Sequence, residues 1–355
     1  MNTTYLPRVS HILPLTTVRR ELRLPVPGTV TVQVNERVQA TDVVAEAEVD
    51  PRHYFIDIAR GLGVSEREVP RYLNRRRGER MEAGDVIAGP VGLARRTVRA
   101  PVDGLLVAVS EGRVLFETRG KQIEIEAGFP GNVVSTDGAN VVVIEATAAL
   151  VQGSWGNGRQ SYGAMRMVVE TRDGMLDNAR LDLNLRGAVL VAGKCDHPSP
   201  LNRATDLTIK GLILGSASSE LIPILRRLPY PVIVLDGFGD LPMNSAAYNL
   251  LETNAGREVS LDARMGANFD NQRPELIIPL PSSHDVDLPD EVVPLAEGVR
   301  VRIVRNPSLG MVGVVREMLP SAVSYPSGIL ARSVLIDLDA GEMVSVPVAN
   351  LEVLQ

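Results

Sequence analysis

The chain has 355 residues, 45% of them hydrophobic and 23% charged, with a formal net charge of −6. That composition excludes collagen, a disulfide scaffold and a wholly disordered chain, and it is enough chain to bury a sizeable core in about two to three domains. The acidic balance removes a global basic footprint for nucleic acid and leaves room only for a local one. Only Lys121, Lys194 and Lys210 are lysines among 37 basic residues, so arginine dominates. Genomic base composition accounts for that bias; the sharper reading is phosphate or carboxylate recognition by the planar guanidinium fork. Cys195 is the single cysteine, which rules out an internal disulfide and a cysteine-based metal site and fits a reducing compartment. Met1 to Leu15 lacks the apolar stretch of a secretion signal, and no run of 18 apolar residues occurs. The expectation is a cytoplasmic protein with no membrane partner.

Residues 1–23 read as a mixed lead-in, with Pro7 and Pro14 breaking any helix. From Leu24 short β segments begin: 29–34 alternates with period two, and 43–49 follows. Residues 53–60 and 66–77 read as two short helices, the second opened by a capping-box spacing of Ser65 and Glu68 but carrying Pro70 inside. Strands resume at 86–88, 98–100, 105–109, 113–118, 122–126 and 141–145, punctuated by glycines. The Gly-rich stretch around Trp155 reads as a loop, within a connector spanning 151–179. From Gly187 strands at 188–192, 211–214, 231–235 and 258–261 alternate with helices at 218–228 and 244–254, which suggests a small parallel sheet in an α/β domain, 180–278. Prolines 274, 279, 281, 289 and 294 with Asp285, Asp287, Asp290 and Glu291 mark a linker at 279–294. Strands return at 300–304, 312–315, 334–338 and 343–346.

Two family resemblances follow from particular residues. Glu297-Gly298, Val299 to Val304, Pro307, Gly310, Gly313-Val314-Val315 and the tail Val346 to Leu351 resemble a KOW module, the SH3-like barrel of NusG-type transcription factors and several ribosomal proteins. The resemblance covers about residues 297–355, within a domain expected at 295–355, and implies binding of RNA, DNA or protein. Five arginines against six carboxylates over 297–355 favour a protein partner or an internal packing role. Pro25 to Val30, Ala100 to Leu106 and Glu82 to Ala88 resemble the half-motifs of the barrel-sandwich hybrid of biotinyl and lipoyl domains, over residues 24–150 with a helical insertion at about 53–77. The carrier lysine of that family would stand at Leu93, and no lysine occurs before Lys121, so a scaffold without cofactor is expected. The middle domain resembles no family.

Ile58 to Tyr72 resembles a helix-turn-helix whose second helix would present Arg67, Arg71, Arg75, Arg76 and Arg77 to DNA. Pro70 argues instead for an inserted helical hairpin with a solvated arginine face. In the middle domain, ligand sites of open α/β sheets lie at the carboxyl ends of strands. There Lys194-Cys195-Asp196-His197 offers a Cys–His pair or a simple turn. Ser216 and Ser218 offer an anion-binding helix start or an N-cap, and Asp236 with Asp240 a carboxylate pair or a polar turn. His11, His53 and His284 are scattered, and no zinc, dinucleotide or nucleophile-elbow motif occurs.

The fold class expected is multidomain and mainly β, a barrel-sandwich-like unit plus an SH3-like barrel, with a small α/β domain between them. The function expected is non-enzymatic binding or scaffolding alongside transcription or translation machinery, with no catalytic residue, metal or cofactor. One alternative is a nucleic-acid-binding regulator using the Arg67–Arg77 face together with Arg300, Arg302 and Arg305. The other is a ligand-binding domain or enzyme built on Asp196, Ser216, Ser218, Asp236 and Asp240. Oligomeric state is not legible.

Overall fold

The computed structural model describes residues 4–49, 51–118, 120–266, 272–281 and 286–355. His284 and Asp285 lie outside them. The protein is mainly β, with 45% strand and 13% helix arranged in several sheets. Among the described residues no helix is long and apolar enough to cross a membrane.

An 11-stranded sheet forms the backbone of the molecule. Its centre is parallel: Gln160–Met167, Val189–Cys195, Gly211–Ala217 and Val232–Phe238 run side by side. These strands are near-continuous apolar runs because both faces are covered. Leu190, Leu212 and Val232 pack on one side with Leu201 and Leu225, while Val189, Ile213 and Ile233 pack on the other with Tyr248 and Leu251. The helices are Pro198–Asp206, Ile222–Leu225 and Ser245–Thr253, the last capped by the Asn244 side chain.

Three expectations are corrected here. The stretch around Trp155 is not a plain connector, since Trp155–Gly156 and Gln160–Met167 are strands of this sheet. Glu258–Asp262 is antiparallel to both its neighbours and stands outside the parallel run. Residues 1–23 are no lead-in. Ile12–Arg23 pairs along Val141–Gln152, and Pro14 is accommodated at a register shift between Ala148 and Leu150, the kind of irregularity where a strand tolerates proline. Just before it, Arg8–Ser10 pairs in parallel with Leu351–Leu354, so the first and last strands among the described residues are neighbours.

The C-terminal sheet takes Arg300–Ile303, Val312–Met318, Ser333–Leu338 and Met343–Pro347 from the places where the sequence puts strands. The linker ahead of it begins inside the large sheet, because Glu275–Pro279 is a buried strand. It is also fastened further along: the Thr16 hydroxyl donates to the Asp287 carbonyl at 3.0 Å, and the His11 ring contacts the Asp290 carbonyl at 3.0 Å.

Residues 24–150 hold two cores rather than one. Val38, Val44, Phe129, Val133 and Ile144 belong to the first, which Val18 of Ile12–Arg23 joins from outside; Ile58, Leu62, Ile87, Leu106 and Phe116 belong to the second, contributed wholly by 56–116. The two are copies of one β unit. Val30 pairs with Ala45 as Leu73 does with Ala88. Gly131 pairs with Val38 as Gly104 does with Met81. The register shift between Val133 and Ser135 recurs between Leu106 and Ala108. The Gln33 amide donates to Glu36 and the Gln39 amide to Asp42; the Arg76 amide donates to Glu79 and the Glu82 amide to Asp85. Asn35 and Gly78 both take positive φ at the same turn, +70° and +85°. The second copy is nested in the first. It leaves between Val49 and Lys121, at the hairpin end where the second copy has its own turn, Gly92 to Arg95.

The helical hairpin expected inside this region is much reduced. Residues 53–57 form a strand, and the helices are single turns, Ile58–Leu62 and Val69–Tyr72. Pro70 sits in the first turn of the second helix, where its missing N–H costs nothing, and the chain extends at Leu73. No helix spans Arg67 to Arg77, so the groove-reading helix of a helix-turn-helix is absent among the described residues.

Candidate functional site

The strand ends of the parallel sheet are filled by the protein itself. Segment 168–176 folds back over them: the Lys194 amide donates to the Gly174 carbonyl at 2.9 Å, and the Met243 amide to the Arg172 carbonyl at 2.9 Å. Contact is close enough to demand glycine, since a Cβ on Gly193 would lie 2.5 Å from the Arg172 carbonyl oxygen. The Ser216 hydroxyl is buried and donates to the Leu241 carbonyl at 2.5 Å. Asp240 reaches away to Lys194 at 2.7 Å. Asp196 is exposed, and Ser218 caps the short helical turn after it. The five residues therefore do not converge on a cleft.

Asp236 decides the matter. Its carboxylate accepts from the Asn244 amide and side chain, each at 2.9 Å, and from Arg302 at 2.9 Å. The side chains of Arg302 and Asp236 are 3% and 2% exposed. Arg302 also donates to the Leu235 carbonyl at 2.9 Å and to Glu352 at 2.8 Å, while Arg273 holds the other oxygen of Glu352. Burial works against the Arg302 charge; Glu352 and Asp236 more than reverse it and hold the guanidinium above its ordinary value. Two expectations are thus corrected by one contact. Asp236 is not a ligand residue and Arg302 is not a nucleic-acid contact, because each neutralises the other inside the protein. Arg300 is likewise paired, with Asp339, and only Arg305 of that trio is exposed and free of a carboxylate among the described residues.

Cys195 is 1% exposed, and burial pushes its thiol up to about 11. Its contact with His197 is the backbone carbonyl, at 3.5 Å, and no hydrogen bond joins the imidazole to the thiol among the described residues, so no Cys–His nucleophile is assembled there. The expected result with a thiol reagent at pH 8 is no reaction in the folded protein and one equivalent after denaturation. Rapid native labelling would contradict this placement.

The inserted copy is different in kind. Residues 51–118 carry 12 arginines against nine carboxylates, in a chain that is acidic elsewhere. Arg75 is paired with Glu79 at 2.7 Å and lies near Asp85. Arg67, Arg71, Arg76 and Arg77 are exposed and have no carboxylate within ion-pair distance among the described residues. The same holds for Arg60, Arg80 and Arg95, which no motif marks; the signal for them in the sequence is the balance over 50–100, 11 arginines against seven carboxylates. Turns place these side chains: Gly63 ends the first helix in a left-handed conformation, and Ser65 donates to Glu68 at 2.7 Å before the second. That bond holds the Glu68 carboxyl below its ordinary range, so it stays ionised as the turn's acceptor.

Between the two copies lies an open cleft of about 490 Å³, walled by Glu46, Glu48 and Gln122 on one side and Arg80, Leu105 and Glu117 on the other. Its carboxylates are engaged: Glu46 by Gln122, Glu48 by the Gly120 amide, Glu117 by His53. At the hairpin of the inserted copy, Leu93 is fully exposed. No protein-family model matches the chain, and no curated protein matches it.

Proposed function

We propose that this is a non-enzymatic binding protein whose inserted copy, residues 51–118, holds an anionic polymer, nucleic acid, through its unpaired arginines. The observation that carries this reading is the division of the arginines. Arg20, Arg273, Arg300 and Arg302 are spent on internal ion pairs, whereas Arg67, Arg71, Arg76 and Arg77 keep their donors for a partner. Planar forks on turns and single-turn helices suit phosphate oxygens, and without a recognition helix the contacts are to backbone rather than to base edges. The filled strand ends speak against the ligand-binding or enzymatic alternative.

In this reading the nested β copies form a barrel-sandwich-like scaffold that carries the arginines. The C-terminal KOW-like, SH3-like barrel serves as a clamp, with its central arginine turned inward. Leu93 at the exposed hairpin gives no attachment point for a biotinyl or lipoyl group. A nucleic-acid partner accords with the transcription- or translation-associated role that the C-terminal resemblance implies.

The test is fluorescence anisotropy of labelled duplex DNA and single-stranded RNA titrated with protein across a salt series. Binding is expected to weaken as salt rises, and the variant Arg67→Ala/Arg71→Ala/Arg76→Ala/Arg77→Ala is expected to lower the salt slope by about one per phosphate contact removed. Arg75 is left in place because its partners are internal. No binding to either nucleic acid at low salt would overturn the proposal.

A further inference from the structure

We infer that a second copy of this chain docks on the free edge of the strand His53–Asp57, in an antiparallel pair centred on Phe55. This strand is the outermost of a four-stranded sheet, with a neighbour, Arg113–Thr118, on one side only. The parity of its hydrogen bonds can be fixed. The Thr118 amide donates to the Arg52 carbonyl, and the Ile58 amide to the Gly112 carbonyl, so the even-numbered residues face the neighbouring strand. The N–H and C=O groups of His53 and Phe55 and the N–H of Asp57 therefore point outward, and no backbone partner takes them among the described residues, while the Asp57 carbonyl opens the helix Ile58–Leu62. Exposed edges are usually guarded by lysine, proline or a bulge. This edge instead carries Phe55 with 77% exposure and Tyr54 with 40%.

The edge is complementary to itself. Pairing about Phe55 sets His53 opposite Asp57 of the second copy, Phe55 opposite its own counterpart, and Asp57 opposite His53. The outward groups then form about four backbone hydrogen bonds, two at the Phe55 pair and one from each Asp57 amide to the His53 carbonyl of the other copy. The side chains on that face continue the match. Glu117, Leu115 and Arg113 stand beside His53, Phe55 and Asp57 in register. Across the four strands one row reads Glu117, His53, then Asp57 and Arg113 of the second copy, alternating in sign. The middle row reads Leu115, Phe55, Phe55, Leu115 and is apolar throughout. On the other face, Tyr54 meets Ile56 and extends the buried core of each inserted copy. Opposite-charge and aromatic cross-strand pairs of this kind are what stabilise a register. A five-residue edge is small, so the association belongs to the weak, concentration-dependent class.

Sedimentation equilibrium of the full chain over a wide concentration range tests this independently of any nucleic acid. A reversible monomer–dimer equilibrium is expected. Phe55→Lys places two like charges at the twofold centre and is expected to weaken dimerisation about tenfold or more, as is Phe55→Glu; an equimolar mixture of the two regains it. Phe55→Cys reports the register, because Cα atoms in such a pair lie about 5.5 Å apart, within disulfide reach, while native Cys195 is buried. With an added oxidant it is expected to yield a covalent dimer, whereas Tyr54→Cys, offset from its counterpart, is not. A chain that stays monomeric at all concentrations, or a dimer that Phe55→Lys leaves intact, would overturn the inference.

Discussion

Arg302→Ala is expected to destabilise the contact between the C-terminal sheet and the parallel strands by about 3–5 kcal/mol. The reason is what remains behind. Asp236 and Glu352 stay 2% and 5% exposed, and Asp236 loses its only counter-charge among the described residues. Water cannot reach either carboxylate without opening the interface, so the penalty is that of uncompensated buried charge rather than of one lost hydrogen bond. Arg302→Met with Asp236→Asn is expected to cost less than the sum of the two single changes, since it removes both charges while Arg273 still holds Glu352. Urea unfolding with hydrogen exchange followed at 232–238 and 300–303 measures it. Additive single-variant effects below about 1 kcal/mol would contradict the placement of Arg302.

Phe116→Ala is expected to cost about 3–5 kcal/mol and to act locally. Phe116 is fully buried and lies at the centre of the inserted core with Leu106, Ile58 and Val114. A core contributed by about 60 residues has little stability to spare. Exchange is expected to rise across 52–118 while Val189–Cys195 and Gly211–Ala217 stay protected. Ile144 is its counterpart in the outer copy, and Ile144→Ala is expected to cost about 2–5 kcal/mol with a wider reach, because its strand continues into the large sheet. Uniform loss of protection after Phe116→Ala would show that the two copies share one cooperative core.

Much of the strand layout was legible in the sequence. Val43–Val49 and Arg113–Thr118 lie where the sequence puts them, because alternation along a half-buried strand is local information. The apolar runs at 189–192 and 212–214 were legible for the opposite reason, burial on both faces. Ile12–Arg23 was hidden by Pro14, whose tolerance depends on a bulge that only the partner strand reveals. The helix expected over 66–77 rested on the capping-box spacing of Ser65 and Glu68, which is a local start signal and carries no length, and Pro70 limits it to one turn. The pairing of Asp236 with Arg302 spans 66 positions, and each residue alone looks like a surface group. The duplication left a signal that was readable: Glu36-Arg37 and Asp42-Val43 recur at the same spacing as Glu79-Arg80 and Asp85-Val86. Nesting obscured it, because the closing segment of the outer copy, Ala127 to Val133, comes after the whole of the inserted one.

The most direct test of the arginine surface is hydrogen–deuterium exchange of the full chain with and without saturating single-stranded RNA or duplex DNA at low salt. Protection confined to 58–80 and 92–99 is the expected result, with the strand ends at 194–197, 215–219 and 236–240 unchanged. Protection at those strand ends, with the inserted copy unaffected, would contradict it and return the site to the α/β layer.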